Sequence, residues 1–242
     1  MQLAERGVRR PFTMRADVRV GVALLAFVAA AALLIPSGPL EIDASWSELM
    51  LDLRNAGLDA IALALNAVGH GIVRALTIAG VGVFLLVARR LLELGAFAFV
   101  QSVTPSATFV IKSLVDRRRP PGQLVHPSGS SFPSGHVSYA ATTATILVLL
   151  FAPLAHRRAA WVAAALATTA MAWSRTYLQA HWLSDTVAGA ALGAGVALLA
   201  YALMDLASGH RPDPAGGELA RPDVPAPVDG DAHQLPVTRQ ER

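Results

Sequence analysis

Residues 183–206, LSDTVAGAALGAGVALLAYALMDL, form an apolar stretch that decides the class of fold. The hydrocarbon core of a bilayer is about 30 Å thick, and about 20 mostly apolar helical residues cross it. The composition of the whole chain agrees, because 54% of its 242 residues are hydrophobic and only 15% are charged. Soluble domains carry about 25% charged residues. We therefore predict an all-α, polytopic membrane protein.

Five further apolar stretches precede this one, and each predicts a transmembrane helix. They cover residues 18–35, 71–88, 91–111, 136–153 and 159–173. A weaker apolar stretch, residues 58–68, carries Asn66 and follows a polar segment, so we expect an interfacial or partly buried helix there. The sequence thus predicts six transmembrane helices.

Clusters of arginine predict the orientation of these helices, since Lys and Arg favour the cytoplasmic side of a membrane. In a six-helix protein all three clusters fall on one side and place both termini in the cytoplasm. Segments 36–70, 112–135 and 174–182 then form outer loops, and we expect a bacterial inner-membrane protein. The clusters are Arg6, Arg9, Arg10, Arg15 and Arg19, then Arg89 and Arg90, then Arg157 and Arg158.

The two ends of the chain differ in composition from its centre. Residues 1–17 form a basic cytoplasmic segment, and residues 18–57 hold the first transmembrane helix and an outer interfacial segment. We interpret that helix as a retained anchor, because its apolar run is long for a cleaved signal peptide. Residues 58–206 form the core with the other five transmembrane helices. Residues 207–242, rich in Pro, Gly and Asp, predict a disordered cytoplasmic tail.

The outer loop after the third transmembrane helix is unusually basic for its side of the membrane. Lys112, the only lysine of the chain, is followed by Arg117, Arg118 and Arg119. A bound anion, such as a phosphate or an acidic lipid headgroup, would compensate this charge. The alternative is that the charge rule for short loops is only a tendency.

The same loop ends in Pro133-Ser134-Gly135-His136, directly before an apolar helix. A helix N-terminus has free backbone N–H groups and partial positive charge, and Gly135 lets a ligand approach the backbone closely. His136 then faces the anion from the first turn. The alternative is an ordinary helix cap made by Ser and Pro.

The last outer loop supplies the matching residues. Ser174-Arg175 is followed by His181, and Asp185 lies four residues later. Positions i and i+4 share a helix face, so Asp185 can accept a hydrogen bond from one ring nitrogen of His181 and leave the other nucleophilic. A surface pair at a polar helix start is the alternative. The out-and-back topology of residues 137–173 returns His136 and Arg175 to the same membrane face.

Together these residues suit the transfer of a phosphoryl group. Lys112, Arg119 and Arg175 can stabilise charge on its oxygens. His181 can attack phosphorus, and His136 can protonate the departing alkoxide. The chain contains no cysteine, which excludes thiolate catalysis and Cys-based metal sites. Three nearby cations disfavour a metal at the two histidines, so we expect neither a metal nor another cofactor.

The chain resembles a known family in three segments: Lys112-x6-Arg119-Pro120, Pro133-Ser134-Gly135-His136 and Ser174-Arg175-x5-His181-x3-Asp185. The family is the type 2 phosphatidic acid phosphatase and vanadium haloperoxidase superfamily, and the resemblance covers about residues 60–206. It implies that His181 is the nucleophile, His136 the acid and Asp185 the orienting partner, without a metal. It also implies the following phosphate-binding residues: Lys112, Arg119, Ser134, Gly135 and Arg175.

We therefore expect a metal-independent phosphatase that acts on a lipid phosphate at the outer membrane face. The candidate substrates are phosphatidate, phosphatidylglycerol phosphate, a polyprenyl phosphate or diphosphate, and a phosphorylated glycolipid. A lipid phosphotransferase using the same histidine and a non-catalytic protein that binds anionic lipid are alternatives. A vanadate-dependent haloperoxidase is disfavoured by the six helices. Nucleic-acid binding is disfavoured because the basic residues stand beside the transmembrane helices.

Residues outside the signature have more than one interpretation. Arg117 and Arg118 meet a second phosphate or a headgroup, or they are solvated. His126 has a gating or substrate role, or it is a solvated loop residue. Tyr177 and Trp182 either line a lipid-side entrance to the site or belong to the interfacial aromatic belt. We interpret Asn66 and His70 as interfacial, and we expect Arg74 to reach the membrane surface, with Asp59 or a lipid phosphate as its partner.

Overall fold

The computed structural model describes residues 11–208 and, from residue 16 onward, their side chains. Most of the expected basic N-terminal segment and nearly all of the expected tail lie outside the described residues. Within them the chain forms α-helices and a short 3-10 turn, Leu154–His156, and no strand. The helices are α1 (Pro11–Leu34), α2 (Glu41–Asp52), α3 (Ala56–Val68), α4 (Gly71–Val87), α5 (Leu91–Leu114), α6 (Gly135–Phe151), α7 (Arg157–Tyr177) and α8 (Leu183–Ala207).

Three of the described helices are long and apolar enough to cross a membrane, namely α5, α8 and the part of α1 from Ala16 to Leu34. Helices α3 and α4 meet at an angle of 48° and add a fourth crossing if the bent pair forms one span. Helix α6 is apolar but has only 17 residues, and α7 begins with two arginines. The all-α architecture of an integral membrane protein is thus confirmed, whereas six crossings stay a prediction.

Glycines let α6 and α8 approach each other closely. A side-chain carbon at Gly193 would overlap the carbonyl oxygen of Ser138, and one at Gly189 would lie 2.6 Å from that of Ser134. Any larger residue would push the two backbones apart, so the pair packs as small-residue membrane helices do. The Ser134 N–H also donates to the Asp185 carbonyl at 3.0 Å. The first turns of α6 and α8 are therefore held side by side.

The apolar core lies among α1, α4, α5, α6 and α8. Its buried side chains include Val28, Phe97, Val100, Ile146 and Leu192. The loops 115–134 and 178–182 meet at one end of these helices, where the Leu124 N–H donates to the Leu178 carbonyl at 3.1 Å. Packing in the core thus fixes the helix ends and loops that carry the signature residues.

Candidate active site

The structure brings the three signature segments together where α6 and α8 begin. Lys112 lies in the last turn of α5, and Arg175 lies in the last turn of α7. His136 lies in the first turn of α6, and His181 lies two residues before the start of α8. Arg119, from the loop after α5, contacts the imidazole of His181. Residues that are far apart in the sequence therefore surround one site.

His181 is buried, with 4% of its surface exposed, and its hydrogen bonds define its tautomer. Its Nδ1 lies 2.7 Å from the carbonyl oxygen of Ser131, so Nδ1 carries a hydrogen and donates it. Its Nε2 lies 3.3 Å from Nη1 of Arg119. Burial, reinforced by the charges of Lys112 and Arg175, lowers the pKa of His181 to about 3. The ring is therefore neutral at pH 7, with a lone pair on Nε2.

Asp185 does not make the direct hydrogen bond that its i, i+4 spacing predicts. Its Oδ2 lies 3.7 Å from Nδ1 of His181, which is beyond hydrogen-bond distance. That oxygen instead accepts from the Trp182 backbone N–H at 2.8 Å and from the Ser131 hydroxyl. The carboxylate caps the first turn of α8, and Ser131 takes the position beside the imidazole. Asp185 thus reaches His181 through Ser131, which no sequence motif singled out.

Arg117 is buried, with 1% of its surface exposed, so both sequence interpretations of it are wrong. Its Nη1 donates to Oδ1 of Asp185 at 2.5 Å, and its Nη2 donates to Oδ2 of Asp43 at 2.7 Å. Asp43, in α2, also accepts from the backbone N–H and the hydroxyl of Ser184, each at 2.8 Å. Three buried charges thus link α2, the loop after α5 and α8. The neighbouring Arg118 is exposed, and the sequence does not show which of the two arginines turns inward.

Backbone carbonyl groups, rather than carboxylates, hold two of the signature cations. Nζ of Lys112 donates to the Ser130 carbonyl at 2.5 Å. The guanidinium of Arg119 donates to the carbonyls of Gly129, at 3.0 Å, and Ala180, at 2.6 Å. Carbonyl groups orient these side chains without cancelling their charge. The positive charge therefore stays available to an anion.

Three buried polar atoms at this site have no hydrogen-bond partner among the described residues: Nε of Arg175, Oγ of Ser134 and Nε2 of His136. Arg175 is only 1% exposed, and its Nη1 donates to Oδ1 of Asn66. Buried polar groups are almost always paired, and an unpaired one costs about 1–3 kcal/mol. Three such atoms beside the cations indicate a position for an anion.

His136 stacks against His70, a residue that the sequence placed only at the membrane interface. The ring centroids are 5.8 Å apart and the planes differ by 9°. A side-chain carbon added at Gly69 would lie 2.6 Å from Cδ2 of His136. The bend between α3 and α4 thus places a histidine and a glycine against α6. Asn66, His70 and Arg74 recur every four residues, but they lie in α3, in the bend and in α4, so this spacing does not place them on one helix face.

Comparison with known proteins identifies the family. The family model described as PAP2 superfamily matches residues 90–208, which contain all three signature segments. Residues 90–208 belong to the PAP2 superfamily. The resemblance inferred from the motifs is thereby confirmed. The PAP2 segment begins just before α5, so Asp43, Asn66, Gly69 and His70 all lie outside it.

Two solved structures share the fold of the PAP2 segment and of the helices before it. One is a transmembrane PAP2 type phosphatidylglycerolphosphate phosphatase from Bacillus subtilis, with a TM-score of 0.68 and 24% identity over 79% of this chain and 98% of that chain. The other is LpxE from Aquifex aeolicus, with a TM-score of 0.56 and 21% identity over 66% of this chain and 95% of that one. No curated protein sequence matches the chain significantly. At these identities the likeness shows a shared fold.

Proposed function

We propose that this protein is an integral membrane lipid phosphatase that works through a phosphohistidine on His181. The observation that carries the proposal is the set of three unpaired buried atoms on Arg175, Ser134 and His136, close to the neutral imidazole of His181. An anion bound there satisfies all three groups and lies beside a nucleophilic nitrogen. Phosphate monoesters and diphosphates carry the charge and the oxygens that such a site binds.

The reaction proceeds in two steps on the two histidines. In the first, Nε2 of His181 attacks phosphorus, the N–P bond forms, and the bond from phosphorus to the lipid oxygen breaks. His136 gives a proton to that oxygen as it leaves. In the second step, His136 takes a proton from water, the water oxygen bonds to phosphorus, and the N–P bond breaks. Inorganic phosphate leaves and both histidines return to their starting states.

The cations and the start of α6 stabilise the phosphate oxygens in both steps. Lys112, Arg119 and Arg175 supply positive charge in a site shielded from water. The Ser134 hydroxyl and the Gly135 backbone N–H supply donors at a helix N-terminus, which favours anions. The side chain of Ser134 makes no capping hydrogen bond of its own, so it is available to the substrate.

Asp185 acts as a positioning residue in this proposal. It accepts a hydrogen bond from the Ser131 hydroxyl, and the Ser131 carbonyl accepts from Nδ1 of His181. This chain of contacts keeps the hydrogen on Nδ1 and the lone pair on Nε2. A fixed tautomer is what a histidine nucleophile requires.

A lipid substrate is supported by the position of the site at the end of apolar helices. Two large apolar side chains of α5 near Lys112 are strongly exposed, Phe109 at 73% and Leu114 at 79%. A lipid tail beside α5 leaves its phosphate within reach of the cations. The Bacillus subtilis relative is a phosphatidylglycerolphosphate phosphatase. We propose the same broad class here: phosphatidate, phosphatidylglycerol phosphate, a polyprenyl phosphate or diphosphate, or a glycolipid phosphate.

We also propose six crossings of a bacterial inner membrane, with both termini cytoplasmic and the site at the outer face. The absence of cysteine from the chain makes this testable by single-cysteine labelling. Leu124→Cys and Ala155→Cys change exposed residues at opposite ends of α6. A membrane-impermeant maleimide should label the first in intact cells and the second only after lysis. The reverse pattern would invert the proposed orientation.

The function is tested by phosphate release from the purified protein in detergent, with these lipids and with EDTA present. We expect phosphate release in the presence of EDTA. Within residues 16–208, no group of three His, Asp or Glu side chains is placed to hold a metal ion. His181→Ala should lower the rate at least about 1000-fold, because it removes the nucleophile. His156→Ala, an exposed histidine between α6 and α7, is the matched control and should keep the wild-type rate.

Each other outcome favours a named alternative. Equal release by His181→Ala would mean that the nucleophile is wrongly assigned. A phosphorylated lipid or sugar alcohol in place of free phosphate would identify a phosphotransferase. Lipid binding without turnover would identify a non-catalytic protein, and bromide oxidation with vanadate would identify a haloperoxidase. Release that EDTA abolishes would contradict the expected metal independence.

A further inference from the structure

A cavity of about 230 Å³ opens from the proposed active site and extends beyond its phosphate-binding residues. Its walls come from the start of α4, from α5 and from the start of α6. Lys112, Gly135 and His136 belong both to this cavity and to the active site. His70, Arg74 and Tyr139 also line the cavity and lie outside the three signature segments.

The two proposed catalytic histidines differ in their relation to this cavity. His136 lines it, whereas His181, Arg119 and Arg175 do not. In phosphoryl transfer the attacking and leaving atoms lie roughly in line, on opposite sides of phosphorus. In the proposed mechanism His181 attacks and His136 protonates the leaving oxygen, so the leaving group would lie in the space beside His136.

This space is positively charged. The guanidinium of Arg74 lies over the ring of Tyr139, 4.7 Å from its centroid, and no carboxylate pairs with it in the described part of the chain. A contact with an aromatic face leaves the positive charge of an arginine uncancelled. Lys112 adds a second charge. Helix α4 begins at Gly71, and the side chain of His70 does not cap it, so its first N–H groups also favour an anion.

The opposite wall, formed by α5, adds no negative charge. The side chain of Gln101 donates to the Thr143 hydroxyl at 3.0 Å, and the Thr108 hydroxyl donates to the Thr104 carbonyl at 2.8 Å. None of the described residues that line the cavity is Asp or Glu. An uncharged leaving group would therefore leave the charge of Arg74 without a partner.

We propose that this cavity binds the leaving group of the substrate and selects lipids whose leaving group is itself anionic. The inference rests on the proposed phosphatase function and narrows its substrate class. The recognised chemistry is a second phosphorus group on the lipid side of the bond that breaks. It is either the inner phosphate of a lipid diphosphate or the phosphodiester of phosphatidylglycerol phosphate. Arg74 binds that group and sets specificity without contacting the reacting phosphorus.

Two matched substrate pairs test the inference. Farnesyl diphosphate and farnesyl phosphate share a tail, but only the diphosphate has an anionic leaving group. Phosphatidylglycerol phosphate and phosphatidate, with the same short acyl chains, form the second pair. For each pair the measured quantity is the ratio of kcat/KM for the lipid with the charged leaving group to kcat/KM for its partner. The two pairs distinguish the diphosphate source of the second charge from the phosphodiester source.

The variants are Arg74→Gln, which removes the charge, and Arg74→Lys, which keeps it. We expect Arg74→Gln to lower the ratio at least about tenfold for one or both pairs, as the loss of a charge-assisted hydrogen bond does. Arg74→Lys should keep much of the wild-type ratio, because it keeps the charge. Arg158→Gln, an exposed arginine at the start of α7, is the control and should leave both ratios unchanged.

The outcomes separate this inference from the proposed function. If wild-type protein hydrolyses these lipids with His181 dependence but Arg74→Gln leaves both ratios unchanged, the inference is overturned and the phosphatase function stands. The same conclusion holds if Arg74→Gln lowers kcat/KM equally for both members of each pair, because Arg74 then stabilises the fold or binds the phosphate that is removed. Absence of any His181-dependent hydrolysis overturns the function and, with it, the inference.

Discussion

The two histidines of the proposed site have opposite surroundings. His181 is enclosed: Ser131 accepts from its Nδ1, Asp185 accepts from Ser131, and Arg117 donates to Asp185. His136 is open: its Nε2 has no hydrogen-bond partner among the described residues, and its ring stacks on another histidine beside a cavity. One side of the site is therefore a closed hydrogen-bonded network, and the other is a space that a ligand can enter.

The difference matches the roles that we propose, with His181 as the nucleophile and His136 as the acid beside the leaving group. A nucleophile must present one nitrogen in one orientation, which a buried and fully paired network provides. A leaving group differs among lipids, so the side that receives it needs room and charge instead. The closed side is built mostly within the PAP2 segment, residues 90–208. The open side is completed by α4, which precedes that segment.

The largest expected effect comes from breaking the closed side at Arg117. Arg117→Met leaves the buried carboxylates of Asp43 and Asp185 facing each other without a cation. Loss of one partner from a buried ion pair costs about 3–5 kcal/mol, so we expect a strong loss of thermal stability in detergent. Activity should fall as well, because Asp185 no longer holds Ser131.

Arg118→Met is the matched control, because it changes the exposed neighbour and should leave the melting temperature nearly unchanged. If Arg117→Met does not fold, Asp43→Asn serves as a second variant that tests the same ion network. It removes one charge of the three and should destabilise less than Arg117→Met. Equal melting temperatures for Arg117→Met and Arg118→Met would show that the buried ion network does not stabilise the protein.

A smaller effect is expected from disturbing the open side at Gly69. The backbone there, with φ of −84°, suits alanine, but the added carbon would lie 2.6 Å from the His136 ring. Gly69→Ala should therefore displace the ring and lower kcat up to about 100-fold, as a shift of about 1 Å can do. Gly80→Ala, where an added carbon meets nothing within 4 Å, is the control. An unchanged kcat in Gly69→Ala would contradict the role of His136 as the acid at its observed position.

The smallest expected effect is a pH dependence of stability from His181. Burial lowers its pKa from 6.5 to about 3 in the folded protein, so the unfolded chain takes up a proton below pH 6.5 while the folded chain does not. Acidification from pH 7.5 to 5.5 should therefore destabilise the protein through this group by about 1 kcal/mol. The melting temperature of wild type should fall more than that of His181→Gln over this range. Parallel falls in both proteins would show that His181 is not held neutral.

The helices and the family were predictable because their signals are local. The predicted segments 91–111 and 183–206 match α5 (Leu91–Leu114) and α8 (Leu183–Ala207) within a few residues. An apolar run and a short motif are each readable without knowledge of the rest of the chain. The number of crossings was less predictable, since α3 and α4 are joined at a 48° bend whose membrane position depends on packing.

The contacts of the site were only partly predictable. The i, i+4 spacing of His181 and Asp185 correctly placed them near each other but missed Ser131, which comes from another loop and lies between them in the hydrogen-bond chain. Asp43 pairs with Arg117 across 74 positions of sequence, and no local pattern marks such a contact. The sequence places His70 at the membrane interface because it does not show that the bend between α3 and α4 packs against His136.

The sequence by itself therefore determined an all-α membrane protein, its three signature segments and its family. These depend on hydrophobicity along the chain and on the chemistry of residues a few positions apart. Only the tertiary structure decided that Arg117 is buried between two carboxylates and that Ser131 lies between Asp185 and His181. The tertiary structure also decided that Arg74 of α4 adds positive charge to a cavity beside His136. The physical reason is that burial and pairing depend on which helix ends the core holds together, and those ends come from opposite parts of the chain.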